Sequence, residues 1–224
     1  MSRPVIVLGS GGHARVLLDV LLLQQVDVIG LVDPRVNRGD NVLGVNILGG
    51  DEAVLAYLSD EVELVNGVGS IGEAAPRRLL YEKFKKAGFS FASVVHPSAV
   101  IAGGVHLEEG AQVMAGVVIQ PGSSIGRNAI VNTRAVVDHD CFVGDHAHVA
   151  PGATLSGGVR VGSEAHVGTG AAVIQGIRIG ERSIVGAGAA VIGDVPAGAT
   201  VAGVPARVIG LQELGKMMGG KQDG

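Results

Sequence analysis

The segment AIVNTRAVVDHDCFVGDHAHVAPGATLSGGVRVGSEAHVGTGAAVIQGIRIG, residues 129–180, decides the fold because an aliphatic residue returns in it at every sixth position. The same step extends from Val95 to Val191, and every position on it is Val, Ile or Leu. A small or branched residue stands two positions before each of them from Ile101 onward. An aliphatic residue followed by glycine also recurs every 18 residues, beginning with Ile125.

The six-residue step predicts a parallel β-helix. Alternate residues of a strand face the same side, so both recurring sets point inward and the rest of each hexad forms a turn. Three hexads then close one triangular coil, which accounts for the 18-residue period. Glycines are expected at the corners, where φ is positive. An α-helix is excluded because a six-residue step drifts around a helix with 3.6 residues per turn. The repeat is unbroken, so we expect any active site to use short turns and a neighbouring chain.

The residues before this repeat follow a different pattern, in which short apolar runs alternate with helical ones. We predict strands at 5–8, 28–32 and 63–68 and helices at 15–24, 51–58 and 74–86, with Asp51 as a cap and Gly88 as a stop signal. The alternation indicates a small parallel α/β sheet. The predicted organisation is a Rossmann-like domain over 1–92, a β-helix domain over 93–210 and a flexible tail over 211–224.

A glycine loop follows the first predicted strand. Gly9, Gly11 and Ala14 fit the spacing of the dinucleotide fingerprint, and Asp33 follows at a suitable distance for a ribose hydroxyl. Glycines let the backbone approach a phosphate, and the following helix offers free N–H groups. We therefore predict phosphate binding here. A whole NAD is not expected, because residues 1–92 supply only half of the usual six-stranded arrangement; a nucleotide-sugar needs only this half.

Composition excludes several classes of protein. The net charge of −4 and an aromatic content of 3% argue against a nucleic-acid partner. The single cysteine, Cys141, excludes an internal disulfide framework and any multi-cysteine metal site. No run of about 18 apolar residues occurs, so no membrane span is predicted. Residues 1–9 lack the length and cleavage site of a signal peptide. We therefore expect a cytoplasmic protein.

Several motifs occur together: LGSGGHA at 8–14, HPSAV at 96–100, the unbroken hexads, VNTRAVVDHDCFVGDHAHVAPGA at 131–153 and GVPAR at 203–207. Over residues 3–209 the chain resembles the sugar acetyltransferase family of the hexapeptide-repeat acyltransferases, which includes sialic acid O-acetyltransferases. Its pattern is most similar to the bacterial branch that N-acetylates the C4 amine of nucleotide-linked 4-amino-4,6-dideoxy sugars. The resemblance implies a left-handed β-helix and a homotrimer. It also implies acetyl-CoA as co-substrate in the groove between subunits, no required metal, and a nucleotide-linked amino sugar on the N-terminal domain.

The resemblance also implies roles for individual residues. His139 corresponds to the catalytic base and Asp140 to its orienting partner, where relatives often have Glu. Acetyl-CoA contacts are implied for His148 and, through the main chain, near Thr169 and Ala187. Together with the glycine loop, the implied lining of the nucleotide-sugar pocket is Gly11, Gly12, His13, Asp33 and Gly69.

The chemistry of these residues suits acetyl transfer. His139 lies in the turn two residues after inward-facing Val137, and His148 immediately precedes inward-facing Val149. Both are therefore predicted to point away from the β-helix core. An amine that attacks a thioester must lose a proton, and histidine has a suitable pKa to accept it. A neighbouring carboxylate fixes the tautomer, and the oxyanion needs a donor, for which a main-chain N–H or His148 is a candidate. Cys141 falls on an inward position, so direct transfer is preferred to an acyl-enzyme.

Three alternative functions stay open at this point. A sugar hydroxyl could be the acceptor, as in O-acetylation of sialic acid. A trimeric metal-dependent hydratase of the gamma carbonic anhydrase class could use His148 and His166, which are 18 residues apart and therefore in adjacent coils. A non-enzymatic scaffold could sense a nucleotide. The sequence assigns no role to His146 and does not identify the nucleotide.

Overall fold

The structure is a computed structural model that describes residues 3–70, 72 and 74–211. Its first part is a six-stranded sheet with the order β3-β4-β2-β1-β5-β6. The strands are β1 (Val5–Leu8), β2 (Val28–Val32), β3 (Asn41–Val42), β4 (Val45–Gly49), β5 (Glu63–Asn66) and β6 (Ser90–Phe91). Two α-helices, α1 (Gly12–Leu23) and α2 (Ala75–Lys86), accompany them. All pairings except β3–β4 are parallel, so the predicted α/β sheet is confirmed.

The strand order places a ligand site at the end of β1. The chain moves from β1 outward through β2 and then returns to the other side of β1 as β5. Ligands of open parallel sheets bind outside the carboxyl ends of the strands where the order reverses in this way. The loops that follow β1 and β5 meet at this reversal. They contain the glycine loop at 9–11 and the segment at 67–70.

Several local predictions need correction. Helix α1 begins at Gly12 rather than at residue 15, so the end of the glycine motif already forms the first turn of the helix. The segment predicted as a helix at 51–58 is a 3₁₀ helix, Asp51–Ala56, whose cap is Gly50; the Asp51 side chain accepts a hydrogen bond from Lys83 instead. The β3–β4 hairpin was not predicted, although Leu43 and Gly44 at its tip both have positive φ.

The second part is the predicted left-handed parallel β-helix. Its two-residue rungs form three sheets, which we call the first, second and third faces. The first face holds β7 (Val94–Val95), β10 (Gln112–Val113), β13 (Ile130–Val131), β16 (His148–Val149), β19 (His166–Val167) and β22 (Ile184–Val185). The second holds β8 (Val100–Ile101), β11 (Val118–Ile119), β14 (Val136–Val137), β17 (Thr154–Leu155), β20 (Ala172–Val173) and β23 (Ala190–Val191). The third holds β9 (His106–Leu107), β12 (Ser124–Ile125), β15 (Phe142–Val143), β18 (Arg160–Val161) and β21 (Arg178–Ile179). Strands β24 (Ala199–Ala202) and β25 (Arg207–Leu211) extend the first face.

The core of the β-helix is the dry aliphatic column that the periodicity predicts. From Ala111 to Val201 the inward positions form one buried cluster, in which large residues stack on large ones through the 18-residue register. Cys141 belongs to this cluster, as predicted. Its Sγ donates to the carbonyl oxygen of Ser156, and burial raises the pKa of the thiol.

The corners depart from the expectation that glycine occupies them. Positive φ recurs every six residues from Gly104 to Gly188, but six of these corner positions are not glycine: Asn128, Arg134, Asp140, His146, Glu164 and Arg182. Glycine is instead required by close approach at Gly126, Gly144, Gly162 and Gly180. A Cβ on any of these would collide with the backbone or side chain of the next coil. The 18-residue glycine period therefore reports the spacing between coils.

A buried polar seam joins the two parts. Arg77 of α2 is fully buried and donates to the carbonyl oxygens of Asn66 (2.8 Å) and Val68 (2.7 Å) and to that of Asn128 (3.1 Å) on the β-helix. Its Nη2 has no partner among the described residues, and burial lowers the pKa of Arg77 to about 9. This side chain ties the loop after β5 to the β-helix.

Within the described ranges, no helix has the length and apolar character that a membrane span requires. The predicted tail at 211–224 lies, apart from Leu211, outside the residues that the structure describes.

Candidate active site

A cavity of about 560 Å³ opens at the predicted ligand edge of the sheet. It lies between the loops after β1 and β5 and reaches the first face of the β-helix. Its lining residues are Gly9, Gly11, Gly12, His13, Val16, Arg35, Gly67, Val68, Gly69, Ser70, Asn132 and His148. A Cβ at Gly11 or at Gly12 would meet no protein atom within 4 Å, so these glycines leave open space for a ligand. We call this space the nucleotide cavity. It brings four of the five predicted substrate residues together.

His13 is held in the nucleotide cavity as a neutral imidazole. The amide of Gln112 donates to the carbonyl oxygen of Asn66, so its Oε1 must accept from the Nε2–H of His13 at 2.7 Å. Burial and the nearby charge of Arg77 lower the pKa of His13 to about 4. The Nδ1 atom of His13 is left as a hydrogen-bond acceptor.

The fifth predicted substrate residue, Asp33, is buried and occupied. Its Oδ2 accepts hydrogen bonds from the main-chain N–H and the hydroxyl of Ser10 and from Arg35, while its Oδ1 accepts two more from Arg35. These bonds, led by those of Arg35, hold the pKa of the carboxyl well below its usual range. In this arrangement Asp33 fixes the glycine loop. A ribose hydroxyl would reach it only if Arg35 moved, so the predicted ribose contact stays a prediction.

His148 points away from the β-helix core, as predicted, but it is buried beneath the loop after β5. Its Nδ1 donates to the carbonyl oxygen of Ser70 at 2.7 Å, and its Nε2 accepts from the amide of Asn132 at 3.0 Å. Burial and His166 lower its pKa to about 3. Both ring nitrogens are therefore used by the protein itself. This arrangement does not favour His148 as an oxyanion donor or as a metal ligand.

His139 and Asp140 form the predicted pair on the edge between the second and third faces, which we call the second edge. The Nδ1 of His139 lies 2.8 Å from Oδ2 of Asp140, and the two side chains are 54% and 72% exposed. Since a carboxylate only accepts, Nδ1 carries the proton and Nε2 is the free base. The hydrogen bond to Asp140 and then the charge of Asp138 raise the pKa of His139.

Two glycines make room for this pair, and both stand one coil away. A Cβ at Gly157 would collide with the imidazole of His139, and a Cβ at Gly122 would collide with the carboxylate of Asp140. Residues 18 apart are neighbours in the register of the β-helix, so the pair is seated between the preceding and following coils. Sequence reasoning missed these two residues, although the 18-residue register could have identified them.

The predicted cofactor residues Thr169 and Ala187 lie on a different edge. They stack one above the other between the first and second faces, on what we call the first edge, where Asn132 of the nucleotide cavity also lies. Both are exposed, and their main-chain N–H groups donate no hydrogen bond to a described residue. His139 does not line the nucleotide cavity, and the whole second face separates the two edges. A single chain therefore does not assemble all the predicted site residues.

His166 and His146 flank the site without joining it. His166 pairs with His148 in adjacent coils, with ring centroids 5.0 Å apart, and its buried Nδ1 has no partner among the described residues. His146 accepts from Asn128 at the seam and packs against Tyr81. In the part of the chain that the structure describes, no group of three or more His, Cys, Asp or Glu residues is arranged to hold a metal ion.

The PglD N-terminal domain family matches residues 4–84. A search of the curated proteins gave no match.

Three solved structures resemble nearly the whole chain. Perosamine N-acetyltransferase from Caulobacter crescentus, solved as a variant with CoA and GDP-perosamine, is 42% identical with a TM-score of 0.86, over 92% of this chain and 97% of that one. The acetyltransferase domain of PglB from Neisseria gonorrhoeae, solved with acetyl coenzyme A, is 33% identical with a TM-score of 0.87, over 93% and 100%. WeeI from Acinetobacter baumannii is 27% identical with a TM-score of 0.84, over 93% and 100%.

The resemblance inferred from the motifs is thereby confirmed at the level of the family. An identity of 42% over almost the full length of both chains exceeds what a shared fold alone produces. The chain belongs to the sugar acetyltransferases of the hexapeptide-repeat family.

Proposed function

We propose that this protein transfers the acetyl group of acetyl-CoA to the amine of a nucleotide-linked 4-amino-4,6-dideoxy sugar. The observation that carries the proposal is that the chain contains both a glycine-lined cavity and an exposed His139–Asp140 pair. In this pair Nδ1 of His139 is protonated and Nε2 is free to accept a proton. The similarity to an enzyme solved with CoA and GDP-perosamine supports the same substrate class.

The proposed reaction is a direct attack. The neutral amine attacks the thioester carbonyl while Nε2 of His139 removes one amine proton, and the negative charge moves to the carbonyl oxygen. Collapse of this intermediate breaks the C–S bond, and the departing coenzyme A thiolate accepts from His139 the proton that came from the amine. Asp140 holds the imidazole with Nδ1 protonated and stabilises the imidazolium that forms. The thiol of Cys141 is buried in the core, which supports transfer without an acyl-enzyme.

We propose that a homotrimer completes the site. In one chain the nucleotide cavity opens at the first edge while His139 lies on the second, so a neighbouring copy must bring the missing edge. The second face between them exposes apolar side chains such as Val100, and the turns that flank it expose Ile174 and Ile192. In the proposed trimer the neighbouring chain would cover these side chains. Acetyl-CoA would then lie between subunits, along the free main-chain N–H groups of Thr169 and Ala187.

The predicted domains take separate roles in this proposal. Residues 1–92 bind the nucleotide-sugar through Gly11, Gly12, His13 and Gly69. Residues 93–210 bind acetyl-CoA and carry His139. In this division His148 forms the floor between the two parts, because the loop after β5 rests on it.

The proposal is tested by following free coenzyme A and acetylated product with a panel of UDP-, GDP- and dTDP-linked 4-amino sugars and with free sialic acid. We expect N-acetylated product from one of the nucleotide-linked amino sugars. His139→Ala should lower kcat by about 10²-fold or more, the range for loss of a general base. His106→Ala, at another exposed histidine, should retain the rate.

Each contrary result has a clear meaning. Acetylation of a hydroxyl alone would replace the amine by the O-acetylation alternative. Metal-dependent hydration without acetyl transfer, or ligand binding without any turnover, would overturn the proposal.

A further inference from the structure

A second cavity, of about 250 Å³, opens beside the nucleotide cavity and is not used by the site described above. The two cavities share Gly9, Arg35 and Val68 as lining residues, so they adjoin and one ligand can extend across both. The second cavity lies beyond the end of β2, between the turn at Asp33 and the start of α2. We call it the base pocket.

The position of the base pocket suits the nucleoside of the proposed substrate. The glycine loop and the first turn of α1 occupy the middle of the combined space, where a diphosphate would lie. Asn132 and His148 of the β-helix close one end, which faces the acetyl-transfer domain. The other end lies at the carboxyl end of β2, where folds of this class place the nucleoside. The sugar therefore points toward the β-helix and the base toward the base pocket.

The base pocket has apolar walls, the Asp33–Arg35 ion pair and one further carboxylate with spare bonding capacity. Pro34, Pro76 and Leu80 provide apolar walls. Asp51 also lines the pocket; its Oδ2 accepts from Nζ of Lys83 at 2.7 Å, and its Oδ1 accepts from no described residue. Asp33, the other acid of the pocket, is already saturated by Ser10 and Arg35.

A carboxylate beside an ammonium group matches guanine. The guanine edge presents two adjacent donors, N1–H and the N2 amino group, next to the O6 acceptor. A carboxylate accepts both donors in charge-assisted bonds. Lys83 is bonded to the same carboxylate, so in this proposal its ammonium group is the donor nearest to O6. Uracil and thymine instead present one N–H flanked by two carbonyl oxygens, which a carboxylate repels. We propose that Asp51 selects guanine, so that the substrate is a GDP-linked amino sugar. The guanine assignment stands on the base pocket, whereas the amino sugar rests on the proposed function.

The test measures binding of GDP, IDP and UDP to the full chain by titration calorimetry, for the unchanged protein and for Asp51→Asn. IDP lacks only the 2-amino group of GDP. We expect the unchanged protein to bind GDP at least about tenfold tighter than UDP, with IDP between them, since each charge-assisted bond is worth about tenfold or more. Asp51→Asn should weaken GDP binding about tenfold and should not weaken UDP binding, because the amide no longer repels the uracil carbonyl oxygens. Asp60→Asn, at an exposed turn carboxylate, should change neither.

Equal affinities for GDP and UDP in the unchanged protein would overturn the inference, whatever the fold of the variant. An equal loss of GDP and UDP binding in Asp51→Asn would overturn it as well. The proposed function fails separately. Acetyl transfer to a UDP-linked amine without GDP preference would refute only the guanine assignment. Guanine selectivity without transfer to any amine would refute only the acetyltransferase proposal.

Discussion

The nucleotide cavity and the second edge hold histidines in opposite electrostatic states. In the cavity, burial lowers the pKa of His13 to about 4 and that of His148 to about 3, so both are neutral and act through fixed hydrogen bonds. On the second edge His139 is exposed, and Asp140 and Asp138 raise its pKa. The difference supports the proposed division between substrate recognition in the cavity and proton transfer on the second edge. Variants in one region should therefore leave the function of the other intact.

The largest expected effect is on the seam that supports the cavity. Arg77→Met would leave the carbonyl oxygens of Val68 and Asn128 without a described donor and that of Asn66 with Gln112 alone, so the free energy of unfolding should fall by about 3 kcal/mol or more. Urea unfolding measures this, with exposed Arg38→Met as the control. A loss below about 0.5 kcal/mol would contradict the structural role of Arg77.

Asp140→Asn should act on the second edge alone. Loss of the carboxylate removes the orientation of His139, so kcat should fall by about 10²-fold while the Kd of the nucleotide-sugar stays unchanged. His139 must be deprotonated to act, so the rate falls as pH drops through its pKa. Because Asp140 is the main cause that raises this pKa, the acidic limb of the rate profile should move to lower pH in Asp140→Asn. An acidic limb that stays in place would show that another group controls it.

Gly157→Ala tests the seat of the imidazole. The added methyl collides with His139, so we expect kcat to fall by about tenfold, as for other small displacements of a catalytic group. The nucleotide Kd should not change. Gly103→Ala is the matched control. Gly103 occupies the equivalent turn position three coils earlier, has open space around it and does not have a positive φ. Full activity of Gly157→Ala would place the working position of His139 elsewhere.

Gly11→Val should act on the cavity alone and has the smallest expected effect. A Cβ at Gly11 meets no protein atom within 4 Å, and φ of −72° accommodates a side chain, so the fold should persist. The side chain would occupy the space proposed for phosphate, and the nucleotide-sugar should bind about fivefold to tenfold more weakly, the loss of one good contact. Acetyl-CoA affinity should stay the same. Calorimetry with each ligand separates these outcomes, and unchanged nucleotide affinity would contradict the phosphate site.

The two regions also differ in how far the sequence predicts them. Each coil of the β-helix repeats the same local constraint, so the inward positions from Val95 to Val191 and the exposure of His139 follow from a count of residues. The cavity depends on contacts between distant segments. Sequence periodicity places His148 outside the β-helix core, but its burial comes from Ser70, which is 78 positions away.

Asp33 shows the same limit within one domain. The fingerprint places it correctly at the end of β2, but it does not indicate that Ser10 and Arg35 occupy both carboxylate oxygens. The base pocket and its Asp51 were missed for a related reason. Its position in the sequence predicts only a local helix cap for Asp51. The contact with Lys83 depends on the packing of α2 beside the 3₁₀ helix.

The central claim is that the cavity of one chain works with His139 of another, and mixing two inactive variants tests it most directly. His139→Ala keeps the cavity, whereas Gly11→Trp blocks it and keeps His139. After unfolding and joint refolding, mixed assemblies of the proposed trimer should recover a clear fraction of the activity, because some sites then combine an intact cavity with an intact histidine. If the mixture stays as inactive as either variant alone, while mixed trimers are shown to form, then cavity and histidine act within one chain and the account is wrong.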